Sequence, residues 1–487
     1  MEFNSIRFLI FFPSVLLVYF FLPKKCRRVW LLISSYIFYM SWSPKYAVLI
    51  FFSTFTTFLC GLAVEKLRQS RNRNMSLLCF VSCILANLGI LVVFKYGNMI
   101  LSGVFAVLSA LGMSFSASYS SLLLPVGISF YTFQAIGYII DVYRGEKAEN
   151  DLINYALFVS YFPQLVAGPI ERASNILAQT RQLDKLRLFD AERISAGAIR
   201  LLWGYFMKLV IADRAAVIAN ATFDNYAVLG SGQLAMGAAA FAVQIYCDFA
   251  AYSEIAIGSA QIMGIRLMEN FNTPYLSFSI REFWDRWHIS LSSWFGDYLY
   301  KPLGGNRKGL LRTELNKLIV FTVSGLWHGS SLHFAMWGLV NGIYQVVEDL
   351  GRRKMHAPSE KGMGVLRIPL VFVLITFSWI FFRAVSITEA FAYIRRIATA
   401  PSLFLTESFG IIPGLDQLEV LILASALGIL SALDLLRYHT GKTVDRLLQS
   451  RPVWIEWPVL FLLFLMIFIF GIYGPAYDPQ EFIYFQF

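Results

Sequence analysis

Apolar residues gather in long runs separated by short polar loops: residues 6–22, 29–42, 46–64, 75–94, 99–113, 122–140, 152–166, 194–218, 234–263, 318–347, 368–382, 418–436 and 453–472. A helix needs roughly 20 apolar residues to cross a bilayer, and several runs are shorter. The pattern therefore predicts an all-α polytopic membrane protein with about 11 to 13 transmembrane helices, some of them re-entrant or kinked. Glycine and proline inside the runs suit kinks better than sheet edges. A few charges interrupt the run at 194–218, and a loop near Lys95 is expected to part 75–94 from 99–113. The run 318–347 carries no Asp, Glu, Lys or Arg and is long enough to cross a bilayer, yet it contains His328.

Composition agrees with the pattern. Hydrophobic residues make up 57% of the 487 positions and charged residues 15%, and the mean hydropathy is +0.59. These values exclude an ordinary soluble domain. The net charge of +10 must concentrate in loops, where it reports orientation rather than nucleic-acid binding. Lys24, Lys25, Arg27 and Arg28 follow the first run, and Lys66, Arg68, Arg71 and Arg73 follow the third. Two spans lie between these clusters, so both can face the cytoplasm and the N-terminus is expected outside. The tail beyond Ile472 has Asp478 and Glu481 but no Lys or Arg, which agrees with an external C-terminus. No small-residue cleavage site follows the first run, so it reads as a retained anchor. The five cysteines are scattered, mostly inside apolar runs, and suit neither a disulfide framework nor a zinc ribbon. No repeat or long linker divides the chain, and residues 1–487 read as one domain.

A titratable ring inside lipid costs free energy unless something uses or satisfies it, so His328 is a candidate functional residue. Four other histidines exist. His356 and His439 lie in short polar loops and read as solvated. His333, five positions beyond His328, would face about 140° away on one helix, so a satisfied or interfacial role suits it. His288 lies in residues 279–300, SIREFWDRWHISLSSWFGDYLY. There Trp284, Trp287, Ile289 and Leu291 form no single stripe, so an interfacial aromatic helix explains the segment only in part.

Several chemistries could use His288 and His328. A zinc site would need a close ligand pair plus further donors, and no such spacing appears, so no metal is expected. A serine hydrolase would need a nucleophile elbow, and there is no G-x-S-x-G. General-base attack by a hydroxyl from outside the protein on an activated acyl carbon remains open, with His328 taking the proton. Gly325 and Gly329 would then allow close approach, and Trp327 would offer a wall and an N–H donor. A structural, hydrogen-bonded histidine between helices is the competing reading.

Five blocks carry a family resemblance: LPVGISFYTFQAIGYIIDVYRG (124–145), YFPQLVAGPIERA (161–173), QIYCDFAAYSEIAIG (244–258), ENFNTPYLSFSIREFWDRWHISLSSWFGDYLYKPLGGNRKG (269–309) and SGLWHGSSLHFAMWGLVNG (324–342). They resemble the membrane-bound O-acyltransferases, in particular the bacterial cell-surface branch that acetylates alginate and peptidoglycan or D-alanylates teichoic acid. The core motifs span 120–345. The resemblance implies helices around a central funnel in the bacterial cytoplasmic membrane, with His328 at its floor and His288 as the second family histidine. Asn316, Trp327, Ser324, Asp285 and Trp287 are then expected along the funnel. Family members move an acyl group from a cytoplasmic thioester, acetyl-coenzyme A or an acyl carrier protein, toward a hydroxyl. The donor is a substrate, and no bound cofactor is expected. Arg307 and Lys308 are candidates for the donor phosphates. This chain has Gly296 where relatives commonly have Arg, and Asn341 where they commonly have His.

The chain ends in EFIYFQF. Phe482, Tyr484 and Phe485 resemble the F-x-Y-F ending of the small partner in the D-alanylation system. The external Tyr484 could accept the acyl group as a relay and present it to an extracytoplasmic SGNH-type acetyltransferase. An aromatic interfacial anchor is the alternative. D-alanyl transfer to teichoic acid, and a transporter of glycan or lipid without acyl chemistry, stand as the other functions. The transporter would call for an inverted repeat, which is not evident.

Overall fold

The computed structural model describes residues 1–112, 125–354, 364–400, 402–403, 411–473 and 482. The serine-rich stretch 113–121, His356, Tyr484 and Phe485 lie outside the described residues. Among the described residues every regular element is helical, as the hydropathy pattern requires. Among the described residues seven helices are long and apolar enough to cross a membrane: Pro44–Gln69, Arg73–Ala110, Ala191–Asp224, Ser231–Ile262, Leu366–Arg383, Gln417–Thr440 and Val453–Phe470.

That is fewer than the runs predict, for identifiable reasons. The runs on either side of Lys95 form one helix of 38 residues, Arg73–Ala110. Lys95 does not interrupt it, because its long side chain reaches the Ser129 hydroxyl at 3.4 Å. Other apolar helices are too short to cross unaided, such as Ile6–Phe21 with 16 residues and Leu152–Ser160 with nine. The run 318–347 is not a single crossing, as described below.

The chain folds as two compact units, residues 1–191 with 260–268 and residues 192–259 with 269–487. In the first, polar side chains inside the helices satisfy one another. Ser53 donates to Asn87 at 2.6 Å and Tyr155 to Thr57 at 2.7 Å. Gly61 lets the Tyr138 ring approach its helix, since a Cβ there would sit 2.6 Å from the phenol oxygen.

In the second unit the charges that interrupt 194–218 turn inward and pair. The helix Ala191–Phe206 runs through a π-helical turn, Met207–Ala212, into Asp213–Asp224. The turn carries Lys208, whose ammonium lies 2.6 Å from Asp248 and 3.0 Å from Asp213, all three fully buried. Arg200 similarly meets Glu254 at 3.2 Å, Glu269 at 2.7 Å and Asp445 at 3.3 Å. Pairing is what makes these charges tolerable away from water.

Candidate active site

His328 ends the first helix of a helical hairpin within the second unit. Its two helices, Leu310–His328 and Leu332–Lys354, meet at Gly329, Ser330 and Ser331, where Gly329 is extended at φ −154° and ψ 158°. Glycines bring them together. A Cβ on Gly325 would lie 2.1 Å from the Phe334 carbonyl oxygen, and one on Gly338 2.1 Å from that of Phe321. Position 325 against 334 and 321 against 338 is an antiparallel register, so the apolar run doubles back at the histidine. The close approach that Gly325 and Gly329 permit is thus made by the protein's own Phe334, through its carbonyl and its ring. The His328 ring is buried among Trp327, Trp337 and Phe382, with ring centres 5.0, 5.2 and 5.3 Å away.

His288 joins two short helices, Ile280–Arg286 and Ile289–Phe295. Trp287 is extended and His288 left-handed at φ 44° and ψ 53°, which breaks the helix and explains why the aromatic residues follow no single stripe. A left-handed non-glycine residue costs free energy and persists only where its surroundings hold it. Here the Ile289 N–H donates to the Asn270 carbonyl at 3.0 Å, and the ring packs edge-on against Phe249 at 4.6 Å. His288 is 1% exposed, and its ring centre lies 6.4 Å from that of His328.

Both histidines line one cavity of about 400 Å³, together with Trp287, Asp285 and Ser324. Five of the residues expected from the sequence are therefore brought together. Trp327 packs beside both imidazoles without lining the cavity. Asn316 is also off the cavity wall, fully buried, with its amide donating to the Gly305 carbonyl at 3.0 Å. It anchors the loop before the hairpin. His333 is satisfied by the Phe381 carbonyl at 3.0 Å, and His439 is exposed. Gly296 lines the cavity with open space where a Cβ would be, and Asn341 is buried with its amide on the Trp337 carbonyl at 2.9 Å.

Sequence reasoning missed the other end of the cavity. Arg281, Lys317, Asp349 and Arg353 line it. Lys317 and His328 share one helix and are 11 positions apart, which is about 16 Å along the axis. Lys317 bonds Asp349 and, at 2.8 Å, Glu314. Arg353 is 3.9 Å from Glu314, and the Arg281 guanidinium makes no ion pair among the described residues. Arg307 and Lys308 are exposed and do not line the cavity. Charged residues flanking the apolar run 318–347, Lys317 before it and Asp349 and Arg353 after it, were the available signal.

Of the tail motif, Phe482 is described. Its ring is 1% exposed, lies edge-on to Tyr252 at 5.1 Å and sits 4.4 Å beneath the Lys208 ammonium. Tyr252 belongs to the helix Ser231–Ile262, which also supplies Phe249 to His288.

Comparison with known proteins gives the family. A family model for the membrane-bound O-acyltransferases matches residues 146–388. The chain is 38% identical over 388 residues to a probable alginate O-acetylase of Pseudomonas syringae pv. tomato, covering 79% of this chain and 72% of that relative. It is 32% identical over 424 residues to the peptidoglycan O-acetyltransferase of Helicobacter pylori, covering 80% and 78%. Similarity to the teichoic acid D-alanyltransferase of Bacillus subtilis is 27% over 274 residues, or 53% and 68% of the two chains. The chain belongs to the membrane-bound O-acyltransferase family. It is a multi-pass membrane enzyme that transfers acyl groups.

Proposed function

We propose that this enzyme is an O-acetyltransferase acting across the bacterial cytoplasmic membrane, supplying acetyl groups to hydroxyls of an exported or cell-surface polysaccharide. The observation that carries the reading is the single cavity with cations at one end and two imidazoles at the other. A thioester such as acetyl-coenzyme A places anionic phosphates far from its reacting carbon, and Arg281 and Arg353 suit the phosphates while the carbon reaches the histidines. His328 then takes the proton of the attacking hydroxyl, the oxygen bonds to the acyl carbon, and the thiolate leaves and recovers the proton. The basic clusters after the first and third runs support a donor side in the cytoplasm with an external N-terminus, and the tail without Lys or Arg supports an external C-terminus.

The hydroxyl has a candidate within the chain. Phe482 is seated on the helix that also supports His288, and two residues of extended chain reach at most about 7 Å, which favours Tyr484 as an acyl relay. Its ester would be handed to an extracytoplasmic SGNH-type partner. Membranes supplied with radiolabelled acetyl-coenzyme A test both ideas. His328→Ala is expected to abolish label transfer, and Tyr484→Phe, which keeps an aromatic anchor, to do the same. Transfer surviving the first change removes the base assigned here. Transfer surviving only the second leaves direct transfer to the glycan. A protein-bound label that requires a carrier-protein thioester would favour D-alanyl transfer, and glycan export without any transfer would favour a transporter.

A further inference from the structure

Asn270 is nearly fully buried and makes hydrogen bonds that fix its own orientation. The backbone N–H of Ser290, which can only donate, points at Asn270 Oδ1 at 3.3 Å, and the Ser290 hydroxyl donates to the same oxygen at 2.8 Å. Asn270 Nδ2 donates in turn to the Ser253 hydroxyl at 3.1 Å. The amide therefore turns its oxygen toward His288, and that oxygen lies 3.1 Å from His288 Nδ1. A carbonyl oxygen has no proton to give, so Nδ1 must carry one. The Ser290 oxygen, 3.4 Å from Nδ1, has committed its own hydrogen to Asn270 and offers only lone pairs on that side as well.

We infer that Asn270 is a positioning residue that locks His288 in the Nδ1–H tautomer, making His288 Nε2 a second proton acceptor beside His328. In a neutral imidazole with Nδ1 protonated, Nε2 holds the lone pair. The neutral ring can then take a hydrogen bond or a proton from a hydroxyl in the cavity, and it cannot donate to a developing oxyanion. The two ring centres are 6.4 Å apart, and both rings line the same cavity. Among the charged and titratable groups that line the same cavity are His328, whose ring is nearest by its centre distance, Asp285, Arg281, Lys317, Asp349 and Arg353. Phe249 and Trp327 pack beside the ring. The consequence for turnover rests on the acyl-transfer reading above, whereas the tautomer does not.

Two readouts keep these separate. Nitrogen-15 spectra of histidine-labelled enzyme, with His288 assigned by its loss in His288→Gln, are expected to show Nδ1 as the protonated nitrogen of His288. A spectrum with Nε2 protonated overturns the inference regardless of activity. In the transfer assay, Asn270→Ala is expected to lower kcat about 10- to 100-fold with the donor KM unchanged. Asn270→Asp keeps the acceptor and adds a charge that favours the imidazolium. Its acidic limb should move to higher pH while turnover is largely retained, and a pH profile superimposing on that of the unaltered enzyme overturns the positioning role even if Asn270→Ala fails to fold. An unaltered enzyme that transfers no acyl group defeats the proposed function, and the spectrum still decides the tautomer.

Discussion

At the scale of single residues, the second unit holds together charges that lipid would otherwise reject. Lys208 neutralises two carboxylates at once, so removing it leaves two buried anions facing each other. Lys208→Met is expected to lower stability by about 3–5 kcal/mol, measured by thermal unfolding in detergent. Replacing Asp213 and Asp248 by Asn in the same chain should return much of that loss, because no charge then remains unpaired. Legibility at this scale was uneven. His328 stood out because one polar ring interrupts a run without charge. His288 was found through the aromatic segment around it and the family blocks. Asn270 did not stand out although it lies in the family block 269–309, since an amide 18 positions from its histidine resembles any turn residue. Only the fold puts the two in contact.

At the scale of elements, hydropathy identified helices correctly and misjudged how they are joined. A continuous apolar run looks the same whether it crosses once or doubles back, because hydropathy records burial and not direction. The doubling at Gly329 depends on small residues at 325 and 338, whose meaning appears only when the facing backbone is known. Gly338→Ala therefore makes a sharp test of the hairpin. Its Cβ would meet the Phe321 carbonyl, forcing the helices apart and costing about 1–3 kcal/mol of stability, with transfer activity falling further than stability because the histidine moves with the turn. Gly428, whose Cβ would meet nothing within 4 Å, supplies the control: Gly428→Ala should leave stability unchanged or raise it slightly. The charges in 194–218 likewise read as interruptions, yet Arg200 and Lys208 lie on a continuous helical segment and pair mainly with carboxylates of other segments.

At the scale of the whole molecule, the class of the chain was legible from composition and the motif blocks, because a membrane imposes helices on any apolar chain of this kind. The cavity was not, since its walls come from residues 281–353 folded back on themselves. Its distribution of charge leads to a kinetic prediction. Arg281→Ala combined with Arg353→Ala should raise the donor KM several-fold and flatten its dependence on salt while leaving kcat close to normal, in assays that vary acetyl-coenzyme A. An equal fall in kcat would instead place those guanidinium groups near the reacting atoms.

The left-handed backbone at His288 also governs how its chemistry should be probed. Alanine at that position removes an imidazole and places a side chain that favours right-handed or extended backbone at φ 44°, so lost activity would mix two causes. Asparagine enters that region more readily than other non-glycine residues. His288→Asn therefore keeps the turn between the two short helices while withdrawing the titratable ring, and the difference between the asparagine and alanine variants measures how much of the site is held by backbone shape rather than by proton transfer.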